Sequence, residues 1–431
     1  MARTFDARKS DFPDIFDAFL AEPRGAVDDV AETVSQVIKD VRAKGGEAVA
    51  DYTAKFDGLT LDPTTLQSDN VDLQRLGHAC PDDLKEAIDF AAARIAAYHE
   101  RQRPEDHQFT DDAGVQLGWR WTSLDSVGVY VPGGLASYPS SVLMNAVPAK
   151  IAGVDRVVMV APAPRGQLAP AVAYAALKAG VDEYYPVGGA QAVAALAFGA
   201  GRLKPVDKIV GPGNAYVAEA KRQVFGKVGI DTIAGPSEIL VIADETANPA
   251  WIAADLLSQS EHDASSQSIL ITTSEAVAKS VEEAVESQLK TLATEQRARI
   301  AWDTHGAFII ASDLAQAADI ANQIAAEHLE LAIEDPEALL PHIKHAGAVF
   351  LGHYTPEALG DYVTGSNHVL PTSRAARFSS GLGLYDFLKR MSVQKAGPKG
   401  FAALAPAALR LAEAEGLPAH ARSVSIRTNE G

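Results

Sequence analysis

From residue 127 onward, short apolar runs bounded by Gly and Pro alternate with Ala-rich amphipathic stretches, and no other feature of the chain constrains its fold as tightly. The runs VGVYV, RVVMVAP, EYYPVGG and DKIVGPG each lead into a helical pattern. A strand, a helix and a second strand of the same sheet close as a right-handed parallel crossover. The series continues through EILVIAD, SQSILITT, AFIIAS, LELAIE and GAVFLG, again with helical stretches between. So many strands fit two sheets better than one oversized twisted sheet. The expected fold is α/β, with two doubly wound, mostly parallel sheet domains and helical N-terminal and C-terminal extensions.

Upstream, residues 27–104 read as helices, with apolar residues at three-to-four spacing (Val34, Val37, Ile38, Val41; Ile88, Ala91, Ile95) and breaks at Gly45-Gly46 and Gly58. Downstream of Gly381 the pattern FAALAPAALRLAEAEGL again reads as helical pieces. That tail is too short to hold a core of its own, so it is expected to dock on another body, a second subunit being one choice.

The apolar fraction, 47% of 431 residues, supports packed cores throughout, and at about 150 residues per domain the length suits two or three bodies. Asp and Glu number 56 against 38 Lys and Arg, a net charge of −18. Such a field repels phosphate backbones and anionic lipid, so neither nucleic acid nor membrane is an expected partner. The single Cys80 rules out an internal disulfide and a thiolate zinc cluster. Together with an N-terminus, MARTFDARKSDF, that lacks the apolar core of a signal peptide, this points to a reducing cytoplasm.

Five groups of residues carry candidate chemistry. Three Gly-rich turns, VPGG (131–134), VGGAQ (187–191) and VGPGN (210–214), follow expected strands, where ligands of open parallel sheets bind and helix N-termini attract phosphate. None is a G-x-G-x-x-G, and each alone could be a simple strand exit. In ADLLSQSEHDA, Gln259 and His262 share one helix face at i and i+3. A carbonyl oxygen and an imidazole can begin a zinc site, or lie on a helix surface. Glu327 and His328 adjoin at a helix-to-strand junction, where acid–base work near neutral pH requires the backbone to turn so that both face one substrate. The other reading is a surface Glu beside a capping His. The loop GDYVTGSNHVLPT gathers Asp361, Asn367 and His368, and the tail AEAEGLPAHARS carries Glu415 and His420.

In this order these blocks resemble histidinol dehydrogenases. The match is carried by IDTIAGPSEILVIADETANPAWIAADLLSQSEH at residues 230–262 and by VGVYVPGG, VGGAQA, VGPGNAYV, AAEHLEL, GSNHVLPT and AEGLPAHARS, covering the chain from about residue 25 onward. The resemblance implies NAD+-dependent oxidation of L-histidinol through L-histidinaldehyde to L-histidine. It implies one Zn2+ per active site, held by Gln259, His262, Asp361 and, from a partner subunit in a homodimer with shared sites, His420. Glu327 and His328 would be the acid–base pair, His328 as base and Glu327 activating water. The zinc ligands, His328, Ser237, His368 and Glu415 would contact substrate, and Tyr130, Gln191 and Asn214 would contact NAD. The implied division is an extension at 1–25, a catalytic and zinc-binding α/β domain at 26–126 and 238–380, an NAD-binding α/β domain at 127–237, and a helical, exchanged tail at 381–431. Arg374 stands where Gly is common in the family, and Gly383 where Ser is common.

Four other readings compete with this one. A Cys nucleophile would form a thiohemiacetal with an aldehyde, but Cys80 is remote in sequence from every motif. A same-fold NAD-dependent dehydrogenase of another small alcohol, such as a sulfonated diol, is the nearest rival. A zinc scaffold protein would need metal but no cofactor, and a zinc hydrolase would leave three Gly-rich turns without a task.

Overall fold

The structure, a computed structural model, describes residues 2–22, 24, 30–68, 71–133, 138–233 and 235–428. Val27, where the helical stretch was expected to begin, and Gly134 of the VPGG turn lie outside them.

Strand β1 (Arg3–Asp6) and the helix Phe12–Ala21 open the chain, followed by the helices Ala31–Lys44, Gly46–Asp57, Leu73–His78 and Asp82–Glu100. A hairpin of β2 (His107–Thr110) and β3 (Val115–Ser123) comes next. Then β4 (Ser126–Tyr130), β5 (Arg156–Val160), β6 (Glu183–Tyr185), β7 (Lys208–Val210) and the short β8 (Gly229–Ile230) build one parallel sheet. β9 (Glu238–Ala243), β10 (Gln267–Thr272), β11 (Ala307–Ile310), β12 (His328–Ala332) and β13 (Ala348–Leu351) build most of a second. β14 (Leu388–Ala396) and the helices Pro398–Ala414 and Pro418–Ser425 close the chain.

The strand orders are β6-β5-β4-β7-β8 and β1-β11-β10-β9-β12-β13, with every described pair in these two sheets parallel. The expected α/β class with two parallel sheets is therefore what forms. Alternation of side chains along β9 explains how one strand serves two layers: Leu240 and Ile242 join the buried cluster containing Phe12, Phe16 and Ile320, whereas Ile239 and Val241 join Leu256, Val281 and Trp302. Such two-sided burial is why these strands read as unbroken apolar runs.

Three elements depart from expectation. The N-terminal segment is helical, as expected, only in part: β1 adds in parallel to the β11 edge, and the helix Phe12–Ala21 puts three phenylalanines into the second sheet's core. The tail is not wholly helical either. β14 pairs antiparallel with β3 from Leu388↔Ser123 to Ala396↔Val115, completing a three-stranded sheet of order β14-β3-β2. All of β14 beyond Leu388 is exposed, so it has no apolar face whose period could mark it as a strand. Finally, the helices of residues 31–100 share one buried cluster with the five-stranded sheet, Val34, Val49 and Ile95 packing in the same core as Val129 and Leu196. These helices therefore pack with the sheet of residues 126–230. No helix among the described residues is long and apolar enough to cross a membrane.

Candidate active site

The connection from β8 to β9 is short, so the carboxyl ends of the five-stranded sheet abut the amino ends of the six-stranded one. A cavity of about 300 Å3 opens at that junction. Pro132, Gly133, Gly211, Pro212 and Gly213 line it from the turns after β4 and β7, next to the point where strand order reverses around β4. That is where ligands of open parallel sheets bind. Ser237, Gln259, His262, Glu327, His328, Asp361 and His368 line the other side. One cavity therefore gathers residues from all four of the internal motif groups.

Glu327 and His328 reach it because the helix Leu314–Ile324 ends at Ala325 in a left-handed conformation, φ 51°. The chain turns there and enters β12 at His328, beside β9. Both side chains are buried. The backbone N–H of Glu238 donates to Glu327 Oε2 at 3.0 Å, and the Glu238 carbonyl accepts from His328 Nδ1 at 2.9 Å. When the ring is neutral, that contact keeps the proton on Nδ1 and the lone pair on Nε2, which lies 3.5 Å from Asp361 and 3.7 Å from Glu357 without a hydrogen bond. Burial pushes the Glu327 carboxyl up to about 8. Burial opposes a charge on His328, but Glu327, Asp361 and Glu357 around it win, and its pKa is raised well above the usual imidazole range.

Gln259 and His262 are placed by the helix Pro249–Ser260, which is capped by the Asn248 side chain and packs Ile252, Ala253, Leu256 and Leu257 under the sheet. Gln259 lies in its last turn and His262 just beyond, at the open side of the cavity. The Gln259 Oε1 is buried with no hydrogen-bond partner among the described residues, an expensive arrangement unless something accepts its lone pairs. An amide oxygen, an imidazole and the Asp361 carboxylate form a donor set suited to zinc. The described residues offer a second, overlapping set in which ligand atoms of His328, Glu357 and Asp361 lie within 4.8 Å of one another. Asp361 belongs to both.

The Gly-rich turns are tied to one another. Gly211 has φ 111°, and a Cβ there would stand 2.1 Å from the Tyr130 carbonyl oxygen. Its N–H donates to Asp231 at 2.7 Å and its carbonyl accepts from Lys221 Nζ at 3.1 Å, while Lys221 and Asp231 form a buried ion pair. Tyr130 is buried, and its hydroxyl accepts the Gly189 N–H at 3.0 Å. Gln191 is buried in the helix Gly189–Phe198, and Asn214 caps the helix Ala215–Val224. These three stand around the turns but do not line the cavity. Glu415 and His420 lie exposed on the tail and do not line it either.

Sequence spacing passed over Glu238, Glu330, Glu357 and the Lys221–Asp231 pair. A signal existed for the first two: each is a carboxylate inside an otherwise apolar strand run, EILVIAD or LELAI, and such residues are buried only when partnered.

A family profile described as histidinol dehydrogenase matches residues 20–428. The histidinol dehydrogenase of Caulobacter vibrioides is 58% identical over 429 residues, covering 100% of both chains, and that of Rhodopseudomonas palustris is 55% identical over 430 residues, again covering 100% of both. The crystal structure of histidinol dehydrogenase from Elizabethkingia anophelis superposes with a TM-score of 0.93 at 36% identity, covering 99% of this chain and 98% of that one.

Proposed function

The chain belongs to the histidinol dehydrogenase family, NAD-dependent oxidoreductases acting on histidinol, and from that premise we propose that it carries out the four-electron oxidation of L-histidinol through L-histidinaldehyde to L-histidine in the cavity described. The observation that carries this reading is the meeting of a buried carboxyl–imidazole pair with the Gln259, His262 and Asp361 donors at the mouth of two Gly-rich turns.

His328 Nε2 takes the proton of the substrate hydroxyl as the C–H bond breaks. His328 gives that proton up to solvent before the second oxidation, Glu327 takes a proton from the water that adds to the aldehyde carbon, and the hydrate then gives its hydride to the second NAD+ while the neutral His328 receives its hydroxyl proton. A Glu with pKa near 8 suits the second task, because a base works best when its pKa is close to the working pH. Tyr130, Gln191 and Asn214, around the turns, would hold each NAD+, which would supply the hydride acceptor. A Zn2+ bound in the cavity, one per site, would supply a fixed anchor for the nitrogens of the substrate. Ser237 and His368 stand where they would orient the same molecule.

Gln259, His262 and Asp361 would hold that metal, and the fourth ligand would be His420 of the partner subunit, with Glu415 of the partner subunit at the substrate. Leu404, Leu411, Leu417 and Ile426 are exposed along the tail, an apolar face that docking on a second copy would cover. The reaction would run in a reducing cytoplasm, where buried Cys80 stays a thiol.

A stoichiometric assay tests the assignment. Each L-histidinol consumed should yield about two NADH with little free aldehyde, since both oxidations use one site. One NADH per substrate with aldehyde accumulating would refute it, and faster turnover of another small alcohol would favour the same-fold rival.

A further inference from the structure

Glu238, the first residue of β9, touches both members of the acid–base pair. Its N–H donates to Glu327 Oε2 at 3.0 Å, its carbonyl accepts from His328 Nδ1 at 2.9 Å, and its own Oε2 accepts the Glu327 N–H at 3.2 Å. Its Oε1 accepts the Ser373 N–H at 3.0 Å and forms an ion pair with Arg24. The Glu238 side chain is 3% exposed and that of Arg24 14%, so this ion pair is largely shielded from solvent.

We propose that Glu238, locked by Arg24, is the positioning residue that orients Glu327 and His328 together. Two reciprocal hydrogen bonds between Glu238 and Glu327 fix both the backbone and the carboxyl of the latter, and the carbonyl contact fixes the tautomer of His328 that leaves Nε2 free. A carboxylate is required rather than an amide, because both of its oxygens accept backbone N–H groups and a Gln would turn its NH2 toward one of them. An uncompensated carboxylate buried beside Glu327 is costly, and the Arg24 guanidinium supplies the opposite charge. Residues of the expected N-terminal extension at 1–25 thereby reach the site. This inference rests on the reading of Glu327 and His328 as the acid–base pair.

The test compares R24Q, R24K, E238Q and the R24Q/E238Q double variant as zinc-loaded enzymes, with E327Q and H328N alongside. Steady-state rates with L-histidinol and with supplied L-histidinaldehyde are measured together with zinc content and folded fraction. R24Q should lower kcat for both substrates roughly 10- to 100-fold, as loss of an orienting partner does, with KM, zinc content and folded fraction little changed. R24K should recover much of the loss, and the double variant should be no slower than E238Q, because Arg24 acts only through Glu238. Parental kcat in R24Q, a loss that merely follows zinc or folded fraction, or a double variant showing the product of the two single losses would each overturn the proposal. If R24Q keeps its rate while E327Q and H328N lose theirs, the positioning role alone falls; if E327Q and H328N keep theirs, the acid–base reading falls with it.

Discussion

Glu327 shows how much one position can carry. Its burial raises the carboxyl to about 8, so at pH 7 most of it holds a proton and cannot accept another from water. The ionised, working fraction grows as pH rises, and kcat/KM for supplied histidinaldehyde should climb about tenfold per pH unit below that value and level above it. Glu327→Gln should remove the limb and slow this step strongly; an unchanged profile in that variant would take Glu327 out of the water step. Gly211 is a second such position. Adding a methyl there combines a positive φ with a 2.1 Å approach to the Tyr130 carbonyl, so Gly211→Ala should cost at least about 2 kcal/mol in urea unfolding and raise KM for NAD+. Ser373 and Arg374 also sit in the left-handed region, φ 53° and 64°.

At the scale of elements, local pattern was legible wherever an element buries a face. VGVYV, RVVMVAP, EILVIAD and SQSILITT announce strands because both faces of a parallel sheet are covered, and the helices of residues 31–100 show their three-to-four stripe. β2, β3 and β14 carried no such signal, since their partners and not their own faces stabilise them. β1 escaped notice for a different reason: four strand residues are too few for a period to declare itself. The role of β1 and its helix in the core is testable. Phe16 is 1% exposed among Phe12, Phe19 and Ile320, so Phe16→Ala should lower the unfolding free energy by about 3–5 kcal/mol in denaturant titration. A loss under about 1 kcal/mol would mean that the segment is peripheral after all.

At the scale of the whole molecule, the tail poses the question, because its ligand candidate His420 is exposed and away from Gln259, His262 and Asp361. If the site is completed by a second copy, variants H262N and H420N should each be inactive, while refolding them together should restore up to roughly one quarter of parental activity. Random pairing makes half the dimers mixed, and each mixed dimer has one intact site of two. Absence of recovery with mixed dimers confirmed by native mass measurement would assign His420 to its own chain.

The sequence by itself determined the α/β class and the family, because hydrophobic period and ordered motifs are local properties of the chain. Its motif order also named seven of the residues that share the cavity. Only the tertiary structure decided that the carboxyl ends of one sheet meet the amino ends of the other, and that Arg24, Glu327 and the Ser373 N–H converge on the buried Glu238. Those are contacts between residues far apart in the chain. What a buried charge does depends on the partners folding brings to it, and no spacing along the chain encodes them.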